Sequence, residues 1–359
     1  MPMEEFRSGM GWKLKELPPY VMQSYVSAEN EKKALKLALM SDLVLMGTAP
    51  EKFIEERLKE DKLIFRYSER PLKEGFIKFF IPRLTRKYLH LHVRNRHKNI
   101  YILGAGAFTA YDYRLMFDSY PDKCYKFGYF PEHREYDTDR LIKDKEEFAR
   151  SQGTESTILW LGRMIRLKHP ELVIKACRQL LDKGYDFKLH MVGEGEMRPY
   201  LEKLAGELGM EDKVSFEDFL SPDEARDLMA RYMIYVMTSD KLEGWGSVIY
   251  EALNAGCAQV ASHVCGATPF LIKDGETGLI FKSGSTASLS EKLESLLKDR
   301  ELVRRLGENA YRQMHEVWNP RVAAENMLRL ADDLSEGREC SIKEGPCSRM
   351  GYLKNSWYR

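Results

Sequence analysis

The strongest constraint on the fold is a regular alternation of short apolar runs with longer amphipathic segments. In the second half of the chain, TILWLGR (157–163), FKLHMVG (187–193) and MIYVMTS (233–239) are each followed by a segment with helical spacing of apolar residues. Repeated strand–helix units of this kind form a parallel sheet with helices packed on its faces. The pattern therefore predicts the α/β class.

The length and charge of the chain limit its possible domain organisation and partners. A chain of 359 residues suits two domains, and 56 basic against 55 acidic residues give no global attraction for nucleic acid. The stretch 132–153 is charged and contains few apolar residues, which predicts a linker between the two domains. We predict an N-terminal domain over 1–131, a C-terminal domain over 154–335 and a polar tail over 336–359.

Several features predict a cytoplasmic protein. No run of about 18 apolar residues is present that could span a membrane. The first 25 residues are polar and irregular, without the apolar core of a signal peptide. The six cysteines show neither CxxC nor zinc-ligand spacing, and Cys177 and Cys257 lie in apolar settings that favour packing.

The stretch 239–281 carries the most informative motif. An apolar strand runs into a loop with Glu243-Gly244-Trp245-Gly246, which leads directly into a helix containing Glu251. Glycines let the backbone approach a ligand, and the first amides of a helix attract anions. The motif predicts a pocket for a phosphorylated compound that carries hydroxyls. An ordinary helix start with a surface glutamate is the alternative, and the further glycine turns at 266–269 and 274–278 make it less favoured.

Over residues 150–335 the chain resembles the family 4 retaining glycosyltransferases of the GT-B fold. Three motifs carry the resemblance: E-G-W-G followed by Glu251, A-G-C-A-Q-V-A-S, and G-A-T-P-F-L-I-K-D-G-E-T-G. Gln259 and Phe270 depart from the usual residues of the family. The resemblance implies two Rossmann-like domains facing across a cleft. The first β-α unit of the family's N-terminal domain is missing here, so we expect an incomplete N-terminal domain and impaired activity.

The resemblance also assigns roles to residues. The segment 162–168 is similar to the family's G-R-x4-K, in which Arg163 and Lys168 would bind the diphosphate. A planar guanidinium and an ammonium suit phosphate oxygens, although cations in such a loop are often solvated surface. Glu243 would approach the hydroxyls of the transferred sugar, and Glu251 the ribose. The other residues expected around the donor are Gly162, Gly193, Glu194, Phe219, Leu220, Gly244, Trp245, Gly246 and Ser247, with Phe219 and Leu220 beside the base.

These roles imply transfer of a sugar, with retention, from a nucleoside-diphosphate sugar to a saccharide or lipid-linked acceptor in surface polysaccharide or glycolipid synthesis. No Asp-x-Asp motif is present within residues 150–335, so we expect no metal and no cofactor besides the donor substrate. The alternatives are a catalytically impaired nucleotide-sugar-binding protein and, less favoured, a nucleotide-sugar 2-epimerase.

A basic segment stands apart from this motif set. Residues 70–98 hold nine lysines and arginines against one acid, Glu74, interleaved with aromatic and aliphatic residues. One interpretation is a helix that covers the sheet and turns a basic face to solvent. The other is a patch that docks on anionic lipid at the inner face of the membrane and receives a lipid-linked acceptor.

Overall fold

The computed structural model describes residues 18–358 and divides them into two compact units. The first unit comprises residues 18–104, 109–127 and 326–352, and the second comprises 105–108, 128–325 and 353–358. Residues 1–17, which hold most of the predicted irregular N-terminal segment, lie outside the described range. The two parallel-sheet units confirm the predicted α/β class.

The first unit is built on a four-stranded parallel sheet in the order β1-β2-β3-β4. Its strands are β1 (Val44–Met46), β2 (Ile64–Glu69), β3 (Ile100–Ala105) and β4 (Cys124–Phe127). Its helices are α1 (Ala28–Met40), α2 (Glu55–Lys59), α3 (Pro82–Tyr88) and α4 (Thr109–Leu115). A 3₁₀ turn (Ile77–Phe80) precedes α3, and a π-helical turn (Leu89–Val93) follows it.

The second unit contains a six-stranded parallel sheet. The strands are β5 (Thr157–Leu161), β6 (Lys188–Val192), β7 (Val214–Glu217), β8 (Ile234–Met237), β9 (Ala258–Ser262) and β10 (Leu279–Phe281). The helices are α5 (Thr138–Ser151), α6 (Glu171–Asp182), α7 (Arg198–Glu207), α8 (Pro222–Met229), α9 (Ser247–Asn254), α10 (Thr268–Leu271), α11 (Thr286–Lys298) and α12 (Arg300–Glu316). Helix α13 (Pro320–Ser335) begins in this unit and continues into the first.

The strand order identifies where a ligand should bind in the second unit. Across the sheet the strands run β7-β6-β5-β8-β9-β10, which is the doubly wound order of a Rossmann fold. In such sheets the order in which successive strands are added reverses between the first and fourth strands, here β5 and β8. Ligands bind in the crevice outside the carboxyl ends of these strands.

Buried aliphatic residues hold this unit together. The inner face of α6 (Leu172, Val173, Ala176, Leu180) packs into a core with Ile158, Leu189, Ile234 and Val260 of the sheet strands. Cys177 and Cys257 are fully buried, as predicted for packing residues. No helix within residues 18–358 combines the length and apolarity required to cross a bilayer.

The observed boundaries differ from the predicted ones in two places. The expected linker, 132–153, contains α5, whose Leu141, Lys145 and Ala149 are buried. The expected tail, 336–359, is ordered in structure: Ile342 and Cys347 join the core of the first unit, and the Tyr358 hydroxyl donates to the Ile280 carbonyl in the second. Both segments contain few apolar residues, but Leu141, Ala149, Ile342 and Cys347 are among those that are buried.

Candidate functional site

Two loops meet at the switch point between β5 and β8. After β8, Thr238 Oγ1 donates to the carbonyl of Lys168 over 2.5 Å, and the Asp240 amide donates to the carbonyl of Leu167 over 2.9 Å. The loop after β5, residues 162–169, is thereby tied to the loop that begins the glycine motif. These two loops carry the cations and one of the carboxylates that the sequence singled out.

An ion pair between Lys168 and Glu243 is the centre of this site. The Lys168 ammonium contacts Glu243 Oε2, which also accepts a 3.3 Å hydrogen bond from Ser239 Oγ. The side chains of Lys168 and Glu243 are 15% and 17% exposed, so both are sheltered yet reach the surface. The structure therefore brings together a predicted phosphate-binding cation and a predicted sugar-binding carboxylate.

Arg163 lies in the same loop but is exposed. Within residues 18–358 its guanidinium makes no hydrogen bond or ion pair with another side chain, whereas its backbone carbonyl accepts from the Ile165 amide over 2.9 Å. Arg163 is therefore placed at the switch point without being bound to the Lys168–Glu243 pair. A solvated arginine can reorient toward an arriving anion at small cost.

Helix α9 starts at Ser247, four residues after Glu243 of the ion pair. Gly246 precedes it with φ of 92°, a conformation that glycine adopts without strain, and no side chain caps the helix. The first amides, beginning at Ser247, are therefore left for a ligand. The Trp245 side chain instead is buried near Phe270 and Trp318, with ring centroids 6.3 and 6.4 Å away. The predicted ligand contact of Trp245 could only involve its backbone.

The glycine loop is packed against a second loop. A Cβ atom placed on Gly266 would lie 1.8 Å from the carbonyl oxygen of Gly244, a separation no real atom pair allows. The Ala267 amide donates to the carbonyl of Trp245 over 2.9 Å. The turn at 265–268 thus packs against the backbone of Gly244 and Trp245, which is why position 266 requires glycine.

Glu251 lies on α9 and pairs with an arginine that sequence reasoning missed. Arg226 Nη1 of α8 donates to Glu251 Oε1 over 3.1 Å, while Nη2 donates to Asp223 and Glu132. Burial raises the pKa of Glu251, and the neighbouring Arg226 opposes that rise. Arg226 stands alone in an ordinary helical pattern, so no sequence signal linked it to Glu251.

A buried tyrosine of β8, Tyr235, is hydrogen-bonded to the end of β5. The Tyr235 hydroxyl donates to the carbonyl of Leu161, the last residue of β5, over 3.0 Å. Burial raises the pKa of Tyr235, and the charges of Glu251 and Glu243 raise it further. Tyr235 of β8 is thereby joined to the end of β5, at the edge of the sheet where the site lies.

The loop after β6 forms one wall of the crevice. A Cβ atom on Gly193 would lie 2.1 Å from the Gly162 carbonyl oxygen, and Gly193 has φ of 131°. The Met164 amide donates to the carbonyl of Glu194 over 2.7 Å, while the Glu194 side chain is exposed. Gly162, Gly193 and Glu194 are thus brought together through their backbones.

Phe219 and Leu220 follow β7, two strands away from β5. Adjacent strands lie ~4.8 Å apart, so these residues stand roughly 10 Å from the end of β5 along the same edge. Phe219 is 51% exposed. They do not touch the Lys168–Glu243 pair, and their distance from it suits the far end of an extended ligand.

A groove of about 810 Å³ lies elsewhere in this unit. Its lining comes from α5 and the end of α8, including Tyr136, Leu141, Phe148 and Arg231. None of the predicted site residues lines it. We place the functional site at the switch point because the loops there bring opposite charges and an uncapped helix start together. The groove is also lined by charges of both signs, but the helix that starts there is capped by Asp137.

The comparisons with known proteins identify related sequences and related folds. Residues 142–313 match the family described as "Glycosyl transferases group 1". The alpha-D-kanosaminyltransferase of Streptomyces kanamyceticus is 34% identical over 153 residues, which is 43% of this chain and 39% of that protein. The chain therefore matches well under half the length of this relative.

Two solved structures share the fold over most of both chains. A glycosyltransferase from Rickettsia africae superimposes with a TM-score of 0.61 at 14% identity, covering 93% of this chain and 88% of its own. The Anabaena protein HepE, solved with UDP and glucose, gives 0.58 at 16% identity, covering 86% and 82%. Residues 142–313 therefore match the family model of the glycosyl transferases group 1, and the two parallel-sheet units of the chain have the GT-B fold.

Proposed function

We propose that the protein is a retaining glycosyltransferase that moves a sugar from a nucleoside-diphosphate sugar to a saccharide or lipid-linked acceptor. Surface polysaccharide or glycolipid synthesis is the process in which we place it. The observation that carries the proposal is the meeting of Lys168 and Glu243 in front of the uncapped start of α9, at the switch point of a Rossmann sheet.

The chemistry of the donor fits this arrangement. When the glycosidic bond to the diphosphate breaks, negative charge accumulates on the leaving phosphate oxygens. Fixed cations and amide dipoles aimed at that charge lower the barrier most effectively. Lys168, Arg163 and the first amides of α9 would supply them, with the amides of Gly244, Trp245 and Gly246 lining the sugar and the phosphates.

Donor binding would exchange the ion pair for contacts with the ligand. In the free protein Lys168 and Glu243 neutralise each other. A diphosphate offers Lys168 a stronger anionic partner, and the sugar hydroxyls offer Glu243 donors in place of the ammonium. The pair would thus hold both side chains ready without leaving either charge unpaired in the resting site.

The remaining residues would hold the nucleoside. Glu251, whose carboxylate is paired with Arg226, would accept hydrogen bonds from the ribose. The Gly193–Glu194 backbone would form the wall beside the nucleotide, and Phe219 and Leu220 would flank the base. HepE of Anabaena was solved with UDP, so uridine nucleotides are the first to test here.

Two mechanistic parts of the proposal have direct tests. Retention would follow from attack on the face from which the diphosphate departs, with a donor phosphate oxygen taking the acceptor proton, and NMR of the product's anomeric proton reads the configuration. Since Arg163 and Lys168 would provide the charge compensation, we expect transfer to persist in excess EDTA. Inversion, or loss of activity restored by a divalent ion, would contradict these two parts.

A nucleotide-sugar-binding protein with impaired catalysis is the competing function. The two functions are distinguished by measuring calorimetric binding of UDP-sugars and other nucleotide sugars on the same samples as donor hydrolysis and transfer. Turnover that depends on Lys168 supports the enzyme, whereas tight binding without hydrolysis or transfer supports the binding protein.

We propose further that the first unit docks on anionic lipid. Five large apolar side chains around α3 are 42–83% exposed: Phe76, Ile77, Phe80, Ile81 and Leu84. Arg83, Arg86 and Lys87 on the same helix are also exposed. Exposed apolar side chains next to cations on one short segment match the requirements of a surface-binding segment better than those of a purely basic outer face.

The patch is held rigidly from behind. Phe79 packs on Tyr88 with ring centroids 5.3 Å apart, and the hydroxyls of Tyr88 and Ser119 share a 2.5 Å hydrogen bond. Vesicle flotation tests the proposal: wild type should bind vesicles rich in anionic lipid at low salt, and a Phe80→Ser, Arg86→Glu double variant should not. Equal flotation of both, or none by wild type, would contradict it. Leu45→Ser, an exposed apolar residue of β1, serves as the control.

A further inference from the structure

We infer that His169 is a positioning residue that sets the Lys168–Glu243 pair for transfer. The inference rests on the proposed function and adds a residue to it that the sequence motifs did not single out. His169 follows Lys168 directly and precedes α6, and its imidazole lies between two carboxylates that belong to different elements.

The ring contacts both neighbours through its two nitrogens. Nδ1 lies 3.0 Å from Glu171 Oε1, at the first turn of α6, and Nε2 lies 3.3 Å from Asp240 Oδ2, in the loop after β8. Carboxylates accept hydrogen bonds only, so each contact needs an N–H on the ring, and the doubly protonated imidazole can satisfy both at once. The charged groups around the ring are Lys168, Glu171, Asp240 and, through Lys168, Glu243.

Asp240 passes this restraint on to Glu243. Asp240 Oδ1 accepts from the Leu242 amide over 2.8 Å, and its carbonyl accepts from the Glu243 amide over 3.1 Å. The Asp240 amide itself is bound to the carbonyl of Leu167. His169 thus contacts a residue, Asp240, whose side chain and backbone restrain the loop that carries Glu243.

The backbone of His169 shows that the ring, rather than the turn, is the reason for histidine here. His169 has φ of 47° and ψ of 48°, the left-handed conformation in which glycine is unstrained and histidine is not. A turn alone would be served better by glycine. What histidine adds is the link between α6 and the loop after β8.

Loss of the His169 ring should lower the rate of sugar transfer. Without the ring, Glu171 and Asp240 would face each other with no donor between them, and the loop bearing Glu243 would lose its outer restraint. Displacement of a positioned group by about 1 Å can reduce a rate by ~10²-fold while leaving ground-state binding largely intact. His169 would therefore affect turnover far more than nucleotide affinity.

The test uses variants that separate the ring from the turn. His169→Gly removes the ring and relieves the backbone, whereas His169→Asn tolerates the same φ and keeps an N–H donor. Asp118→Gly is the matched control, since Asp118 is exposed in the first unit with φ of 48°. We expect His169→Gly to lower kcat at saturating donor by ~10–100-fold with nucleotide Kd changed less than about threefold. His169→Asn should recover part of the loss, and Asp118→Gly should leave kcat unchanged.

Three results would overturn the inference: a His169→Gly kcat within twofold of wild type, a loss of kcat matched by an equal loss of nucleotide affinity, or no recovery in His169→Asn. A double-mutant cycle with Asp240→Asn adds a readout that needs no activity. Coupling between the two positions in urea unfolding supports the contact, and additivity contradicts it. Wild type that transfers no sugar would refute the proposed function, and the unfolding cycle would still decide whether His169 is bound to Asp240.

Discussion

At the scale of single residues, the site is organised by which charges are paired in the free protein. Lys168 and Glu243 hold each other, Arg226 holds Glu251, and Arg163 lies in solvent. A resting site with its carboxylates already paired avoids isolated buried charge, which would be unstable. The pairing also determines what each substitution should do.

Removing a cation from the loop after β5 should slow transfer. We expect Lys168→Ala or Arg163→Ala to reduce kcat/KM by ~10²–10³-fold, because each would withdraw a positive group from the leaving diphosphate. Arg166→Ala, an exposed residue of the same loop, is the control and should stay near wild type. Steady-state kinetics measures all three, and near-wild-type rates for both Lys168→Ala and Arg163→Ala would remove their assigned roles.

Burial of Glu251 should appear in the pH dependence of stability. Its pKa is raised by burial, so between the unfolded and folded pKa values the folded protein holds a proton that the unfolded chain has lost. The contribution of Glu251 to the free energy of unfolding is therefore fully present at acid pH and is lost as pH rises through the folded value. Glu251→Gln should flatten that decline and weaken nucleotide binding.

Urea unfolding of wild type and Glu251→Gln from pH 4 to pH 8 measures this difference. Glu291→Gln, at an exposed position of α11, is the matched control and should follow wild type throughout. A difference between wild type and Glu251→Gln that stays constant with pH would show that the folded protein does not hold the extra proton.

At the scale of elements, close backbone packing supports the glycine loop. Gly266→Ala would place a methyl group 1.8 Å from the Gly244 carbonyl oxygen, so the loop 243–246 must move. We expect transfer to fall at least about tenfold, comparable with other displacements of positioned groups. Gly206→Ala, in the half-buried last turn of α7 where the nearest contact is a flexible Glu211 side chain at 3.4 Å, should instead stabilise the fold by ~0.5–1 kcal/mol. Kinetics and thermal unfolding measure both variants. A transfer rate of Gly266→Ala equal to that of Gly206→Ala would show that the packing at Gly266 is unimportant.

Helix α5 is joined to the second unit by a buried lysine. Lys145 Nζ donates to the carbonyls of Met229 and Tyr232, over 3.1 and 2.5 Å, just where α8 ends. Lys145→Met keeps the length of the side chain but removes these donors, so we expect a loss of ~1–3 kcal/mol in the free energy of unfolding. Lys143→Met on the exposed side of α5 should change it by less than about 0.5 kcal/mol. Equal urea midpoints for both variants would show that α5 is not anchored through Lys145.

The alternation of strands and helices was predictable because buried parallel strands leave continuous apolar runs in the sequence. Helix α5 was not, since its polar composition resembles a linker and only Leu141, Lys145 and Ala149 face the interior. The segment after 335 was missed for the same reason: Ile342 and Cys347 are isolated apolar residues in a polar stretch.

At the scale of the whole molecule, the edge of the sheet at which the site lies followed from strand order, but its internal contacts did not. Loops after β5 and β8 must meet at the switch point, so Lys168 and Glu243 could be paired in advance by topology. Arg226 and His169 reach the site from α8 and from a left-handed turn. Neither position follows from the spacing of residues along the chain, because each depends on how helices pack on the sheet.

The central claim is that this edge of the second unit binds a nucleoside diphosphate through Lys168. Calorimetric titration of UDP, GDP, ADP and CMP into wild type, Lys168→Ala and Arg166→Ala tests it most directly. The account predicts that at least one of the three nucleoside diphosphates binds wild type and Arg166→Ala alike, with affinity for Lys168→Ala at least tenfold weaker. Absence of binding by all four nucleotides, or equal affinity in wild type and Lys168→Ala, would contradict it.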